Sequence, residues 1–203
     1  MGQLDPAVVP AIVGGLFIVI LLALAYLNRE WSPRWAALEA AILCGISVVL
    51  ARSALVSIEP LLFAVLLYVI THRSRILTDV ANLVSGWGYQ DKALGMFRLA
   101  LRMARDPGTR SIVHISMGTS LIRKKRPQDA ADAIEQALSE MPQQRGRPKY
   151  EAAGRYNLGH AYRALGREKE ASEQFRQAIE LAPNSPYAKG AEVALKGRGR
   201  RSQ

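Results

Sequence analysis

With 203 residues, 49% of them hydrophobic and 22% charged, the chain has the averages of a globular protein, yet its net charge of +10 is unevenly spread. Residues 1–72 hold three basic residues (Arg29, Arg34, Arg52) and four acidic ones (Asp5, Glu30, Glu39, Glu59), so an apolar third carries −1 and residues 73–203 carry +11. That split excludes a single uniform soluble domain and wholesale disorder, and a lone cysteine, Cys44, excludes a disulfide framework or a cysteine-based zinc site.

Ala7–Leu27 is 21 residues without a charge, about 31 Å as a helix, which matches the hydrocarbon thickness of a bilayer. Ala23-Leu24-Ala25 has the form of a signal cleavage site, but no Lys or Arg precedes the run, so an uncleaved anchor is expected. Trp35–Ile70 follows with only Glu39, Arg52 and Glu59 interrupting it, too long for one crossing and suited to two. The predicted spans are 7–27, 36–56 and 59–72. A turn at Ser57-Ile58 separates the last two, with Ser57 as cap and Pro60 in the first helical turn. Glu39 is expected at headgroup depth, paired with Arg34 or Arg73. Gly14 and the Ala41/Gly45 pair are small residues suited to close helix approach. Arg29, Arg34, Arg73 and Arg75 on one side, against Arg52 alone on the other, place the N-terminus outside and everything after His72 in the cytoplasm. From Pro60 to Ser85 there is no further proline and no glycine, while Ile76, Leu77, Val80, Leu83 and Val84 keep helical spacing. One unbroken helix is therefore predicted from the third span into the cytoplasmic part.

That part is repetitive. Counting from Ala152, offsets 7, 8, 11, 15, 20, 24, 27 and 32 read Leu158, Gly159, Tyr162, Gly166, Ala171, Phe175, Ala178 and Pro183. Counting from Ser111, the same offsets read Met117, Gly118, Leu121, Lys125, Ala130, Ile134, Ala137 and Pro142, with Lys125 in place of the turn glycine. Counting from Ser74, they read Val80, Ala81, Val84, Gly88, Ala93, Phe97 and Ala100, the proline being displaced to Pro107. Small residues at 8, 20 and 27 let two helices cross closely, larger ones at 11 and 24 fill the space between repeats, and proline ends the second helix. Insertions separate the copies: Ala93 to Ala130 is 37 residues and Ala130 to Ala171 is 41, against a period of about 34. The longer one is placed in a basic loop, Gln143–Glu151, with Arg145, Arg147 and Lys149.

These three copies resemble the tetratricopeptide repeat family. The resemblance implies an α-solenoid over 73–197 of about three helix-turn-helix repeats at 74–107, 111–144 and 152–185, which with the three transmembrane helices read from residues 1–72 makes an all-α fold. A capping helix at 186–196 and a basic disordered tail at 198–203 complete it. It further implies a concave partner-binding groove formed by the first helix of each repeat, containing Arg75, Thr78 and Asn82, then Ile112, Ile115, Thr119, Ile122 and Arg123, then Ala153, Tyr156, His160 and Arg163. Apolar in the middle and basic along its length, such a groove suits a peptide or helix with acidic and aliphatic side chains. Family members that clamp a chaperone's C-terminal carboxylate use residues matched here only by Asn82, since Thr78, Ser116, Ala153 and Asn157 depart from that pattern.

No catalytic constellation accompanies the repeats. His72, His114 and His160 lie about forty residues apart with no carboxylate or nucleophile at a recognisable offset, and no glycine-rich phosphate loop is present. No enzymatic activity, cofactor or metal is expected. The function expected is a membrane-anchored adaptor in a bacterial inner membrane, recruiting a protein partner on the cytoplasmic face. Two alternatives stay open. One is a structural accessory subunit packed with other transmembrane subunits. The other is binding of anionic lipid or nucleic acid through Arg123-Lys124-Lys125-Arg126 and the Lys196–Arg201 tail. Nucleic acid is the less expected, for want of interleaved aromatics.

Overall fold

A computed structural model describes residues 5, 7–27, 34–53, 59–141 and 148–199. Among these the chain is helical throughout, without strands, and it divides into two compact units, Met1–Ile76 and Leu77–Gln203. The expected cap Ser57 and its turn, Pro142, most of the basic loop, and the tail after 199 lie outside the described residues.

In the first unit, α1 (Val8–Leu27) and α2 (Arg34–Arg52) pack together and α3 (Pro60–Gly86) begins. Ala40, Phe63 and Leu67 form its buried centre, with Val13, Phe17, Ile18 and Leu43 against them. A Cβ at Gly14 would fall 2.5 Å from Cys44 Sγ, so the glycine sets how closely α1 and α2 approach. Ala41 and Gly45 are exposed, and a Cβ at Gly45 would meet nothing within 4 Å. Pro60 opens α3, and its cap is Glu59, whose Oε2 accepts from the Leu62 amide at 2.8 Å. Arg73 reaches Glu39 with both guanidinium nitrogens, at 2.8 and 2.9 Å, making a bidentate pair. Trp35–Arg52 and Pro60–Gly86 are long and apolar enough to cross a membrane, whereas Val8–Leu24 is a shorter apolar stretch. Two helices of crossing length therefore stand where three spans were expected. α3 is unbroken between His72 and Leu77 and continues to Gly86.

The second unit is a series of helical hairpins: the end of α3 with α4 (Gln90–Met103), α5 (Pro107–Arg123) with α6 (Pro127–Glu140), and α7 (Pro148–Ala164) with α8 (Glu168–Leu181), closed by α9 (Pro186–Gly199). Each hairpin turns on a residue with positive φ, namely Gly88 (91°), Lys125 (59°) and Gly166 (78°). Phe97, Ile134 and Phe175 are fully buried, surrounded by buried alanines at 93, 100, 130, 137, 171 and 178. Gly118 and Gly159 are where two helices cross: an added Cβ would meet Ile134 Cγ1 at 2.5 Å and Phe175 Cε1 at 2.7 Å. Leu121, Leu158 and Tyr162 are buried in the same core, and Pro183 lies between α8 and α9.

The longer insertion differs from expectation. α5 and α7 both start about one turn before the repeat boundaries at 111 and 152, and both run 17 residues. Pro107 is the first residue of α5, where its missing N–H costs nothing, and Asp106 Oδ1 caps Thr109 N at 2.8 Å. Pro148 opens α7 in the same way, so Lys149 and Glu151 of the expected loop are helical, and Glu151 pairs with Arg155 one turn on at 2.9 Å. The extra residues thus lengthen the first helix of a repeat.

Candidate partner-binding surface

The first helices of repeats 1 and 2 meet along a polar seam. Asn82 Nδ2 donates to Ser116 Oγ at 3.4 Å. One turn further, Gln90 Oε1 accepts from Ser85 Oγ and Ser120 Oγ at 2.7 Å each, Gln90 Nε2 donates to the Ser85 carbonyl at 2.9 Å, and Arg123 Nη1 donates to Ser85 Oγ at 3.3 Å. Ser85 and Ser120 are buried, and burial without partners would be costly, so the network fixes the register of the two repeats. None of Ser85, Gln90 and Ser120 stood out in the sequence. Serine and glutamine carry no periodic signal, and only their spatial meeting reveals them.

The expected groove is only partly open. Thr78, Ile115 and Ala153 are buried. Ile115 and Ala153 cluster with Ala137 and are packed by Met141 and Tyr187. Their apolar surface is spent on the solenoid's own core, which narrows the expected apolar strip to the half-buried Ile112 and Ile122. Arg75 falls in the N-terminal unit, at its C-terminal border. Asn82 and Arg123 are exposed and Thr119 is half-buried, with its hydroxyl donating to the Ile115 carbonyl at 3.1 Å.

The third-repeat residues are engaged by α8 and α9. Tyr156 stands edge-on to His160 with centroids 4.6 Å apart, and Phe175 and Tyr187 each lie 6.0 Å from the Tyr156 ring. His160 is 5.1 Å from Phe175, and the Arg163 guanidinium sits 4.8 Å over the same ring. Arg163 also donates to the Ala194 carbonyl at 3.2 Å and lies 3.5 Å from Glu168 Oε2. Gly190 of α9 is pressed against Tyr156, where a Cβ would be 2.8 Å from Oη. Tyr156 and Arg163 therefore hold the closing helix, while His160 packs against Phe175 of α8. The signal in the sequence was Gly190 between Ala188 and Ala191, a small-residue face made for close approach.

Burial, aided by the Arg163 charge, lowers the His160 imidazole below its ordinary value. Burial likewise lowers His114, against a raising influence from Glu140, and among the described residues His114 Nδ1 has no hydrogen-bond partner. Tyr162 donates to Glu135 at 2.7 Å, and its phenol is pushed up to about 12 by burial and by that bond. None of these groups is paired as a nucleophile with a base.

A stack of helical hairpins locked by small residues, with exposed polar and basic positions on its first helices, defines a helical-repeat interaction module. Residues 109–184, covering α5 to α8, match the family described as the tetratricopeptide repeat; the hairpin of α3 and α4 precedes the matched range. No curated protein matches the chain.

Proposed function

We propose that the chain is a non-enzymatic, membrane-anchored tetratricopeptide adaptor that holds a protein partner at the cytoplasmic face. The observation carrying this reading is the presence in one chain of helices apolar and long enough to cross a bilayer and a repeat module of an interaction family. α1 is taken as a third span because it is 20 residues without a charge. The cytoplasmic side rests on Arg29, Arg34, Arg73 and Arg75 against Arg52. Within the groove, the exposed Asn82 and Arg123 and the half-buried Ile112, Thr119 and Ile122 are left to meet a partner, and Arg123 selects acidic side chains.

The test is a mild-detergent pull-down of the full chain with mass spectrometry, comparing wild type with Thr119→Glu/Arg123→Glu. An adaptor loses its partner in the variant while staying in the membrane fraction. Partners retained at fixed stoichiometry would make the protein an accessory subunit, and partners lost steeply with salt regardless of the variant would make binding charge-driven.

A further inference from the structure

The second helices of the three repeats can be compared position by position, and their outward faces differ in charge. Repeat positions 19, 22, 26 and 29 are spaced i, i+3, i+7, i+10 and form one stripe of a helix. In α6 they hold Asp129, Asp132, Gln136 and Ser139, and in α8 Glu170, Glu173, Gln177 and Glu180. In α4 they hold Lys92, Gly95, Leu99 and Arg102, with Arg98 beside them. All five of these α4 residues are exposed, the leucine by 43%. Along their lengths, α6 has four acids and no cation, α8 four acids and two cations, and α4 three cations and one acid. The first repeat thus reverses the sign of the other two and adds an apolar side chain.

The acids around this face are engaged or turned away. Asp91 of α4 is paired with Lys124, and Asp106, just past the end of α4, caps Thr109 N. Asp79 of α3 stands two residues from the core residue Ala81 and so on the opposite side of that helix. Lys92 Nζ lies 5.0 Å from the Tyr89 ring centroid, and among the described residues Arg98 and Arg102 have no ion pair. The Arg123–Arg126 cluster, in contrast, is used within the solenoid: Arg123 on Ser85, Lys124 on Asp91 and Arg126 on Asp129.

We infer that the outward face of α4 docks on anionic lipid headgroups, with Lys92, Arg98 and Arg102 toward the phosphates and Leu99 entering the interface between them. This rests on the membrane-anchored reading above. α4 follows α3, the helix read as crossing the bilayer, after only Trp87, Gly88 and Tyr89. The repeat with reversed charge is therefore the one next in the chain to the bilayer. A cytoplasmic leaflet is anionic, and its attraction for cations fades within about a Debye length, so cations act on the repeat nearest the surface. The acidic faces of α6 and α8 are repelled by the same surface, which selects α4 as the face that docks.

Gly95 lies in the stripe with nothing within 4 Å of an added Cβ, so it can carry a probe without losing a contact. The full chain with Cys44→Ser and Gly95→Cys is labelled with an environment-sensitive fluorophore. It is reconstituted into vesicles of phosphatidylcholine alone or mixed with phosphatidylglycerol, with and without lipid spin-labelled near the headgroup. In the phosphatidylglycerol vesicles the probe shifts to the blue and is quenched by the spin label; both effects disappear in high salt and are absent from phosphatidylcholine. Arg98→Gln/Arg102→Gln lowers the docked-to-free ratio about thirtyfold, whereas Lys169→Gln on α8 leaves it unchanged. Quenching that is equal in the two lipids, or that falls as far in Lys169→Gln, overturns the inference. So does a blue shift that grows with chain density and leaves the probe unquenched, which would put the acidic α6 face of a second copy there. Alkaline carbonate separates the two readings: a chain stripped from the vesicles sinks the anchor and this inference with it, while an anchored chain with an unquenched probe sinks this inference alone.

Discussion

Lys125 offers the most direct test of how the repeats are built, because the chain contains its own controls. All three hairpin turns end their first helix with the same pair of bonds. Gly88 N reaches Ser85 O at 3.1 Å and Tyr89 N reaches Val84 O at 3.2 Å; Lys125 and Arg126 reach Ile122 O and Leu121 O at 2.9 and 3.0 Å; Gly166 and Arg167 reach Arg163 O and Tyr162 O at 3.0 and 2.9 Å. This is the left-handed helix stop that glycine fills without strain. At Lys125, φ is 59° on a residue with a Cβ, which costs roughly 1–2 kcal/mol. Lys125→Gly removes that strain and gives back roughly 0.4–1 kcal/mol as unfolded-chain entropy. The net is a stabilisation of about 0.5–1 kcal/mol, or a rise in Tm of roughly 2–4 °C for a unit of this size. Thermal melts of the full chain in detergent, followed by circular dichroism, measure it. Lys125→Ala should leave Tm nearly unchanged, separating backbone from side chain, while Gly88→Ala and Gly166→Ala, in open space but at φ 91° and 78°, should each lower it. A fall in Tm for Lys125→Gly, or neutral glycine substitutions, would refute the assignment of strain to these turns.

Gly159→Ala drives a methyl to 2.7 Å from the rigid Phe175 ring and is expected to destabilise the repeats by about 1–3 kcal/mol, whereas Gly95→Ala, with nothing near, should be neutral or stabilising in the same melts. Burial lowers the folded-state imidazoles of His114 and His160, so the unfolded chain binds more protons just below pH 6.5; their contribution is complete above the unfolded value and lost as pH falls through the folded ones. Tm should therefore drop between about pH 7 and pH 5, and His114→Gln should drop less. Glu39→Gln removes the charge that Arg73 holds with two bonds and should lower the melting point in detergent, with Arg73→Gln/Glu39→Gln losing less than the two single changes together. Cys44 packs against Gly14 with its thiol directed to the Pro10 carbonyl at 3.3 Å, so a membrane-impermeant maleimide should not label it in sealed or opened vesicles, and ready labelling would sink the span reading of α2.

What the sequence made legible was whatever repeats. Ala93, Ala130 and Ala171 share one role because each sits where two helices touch, and the same constraint writes the same residue three times. Helix continuity through Arg73 and Arg75 was equally readable, since nothing between Pro60 and Ser85 could stop a helix. The end of the longer insertion was misread as loop because a proline after a polar stretch is ambiguous. Pro107 and Pro148 punctuate the chain, but whether they end a loop or open a helix depends on the cap before them and the packing after them.

The groove misreading has a different origin, and it bears on where partners bind. A repeat motif assigns each position an average environment, yet a solenoid is finite, and at its ends the average fails in opposite directions. At the C-terminal end, Tyr156 and Arg163 occupy positions expected to face the groove, and α9 packs on them through Gly190 and Ala194. At the other end, Val80 and Leu83 occupy positions that the motif closes, and nothing in the repeat unit covers them. The apolar contact the sequence assigned to the middle of the groove is thus used internally by Ile115 and Ala153, while comparable apolar surface stands exposed on α3.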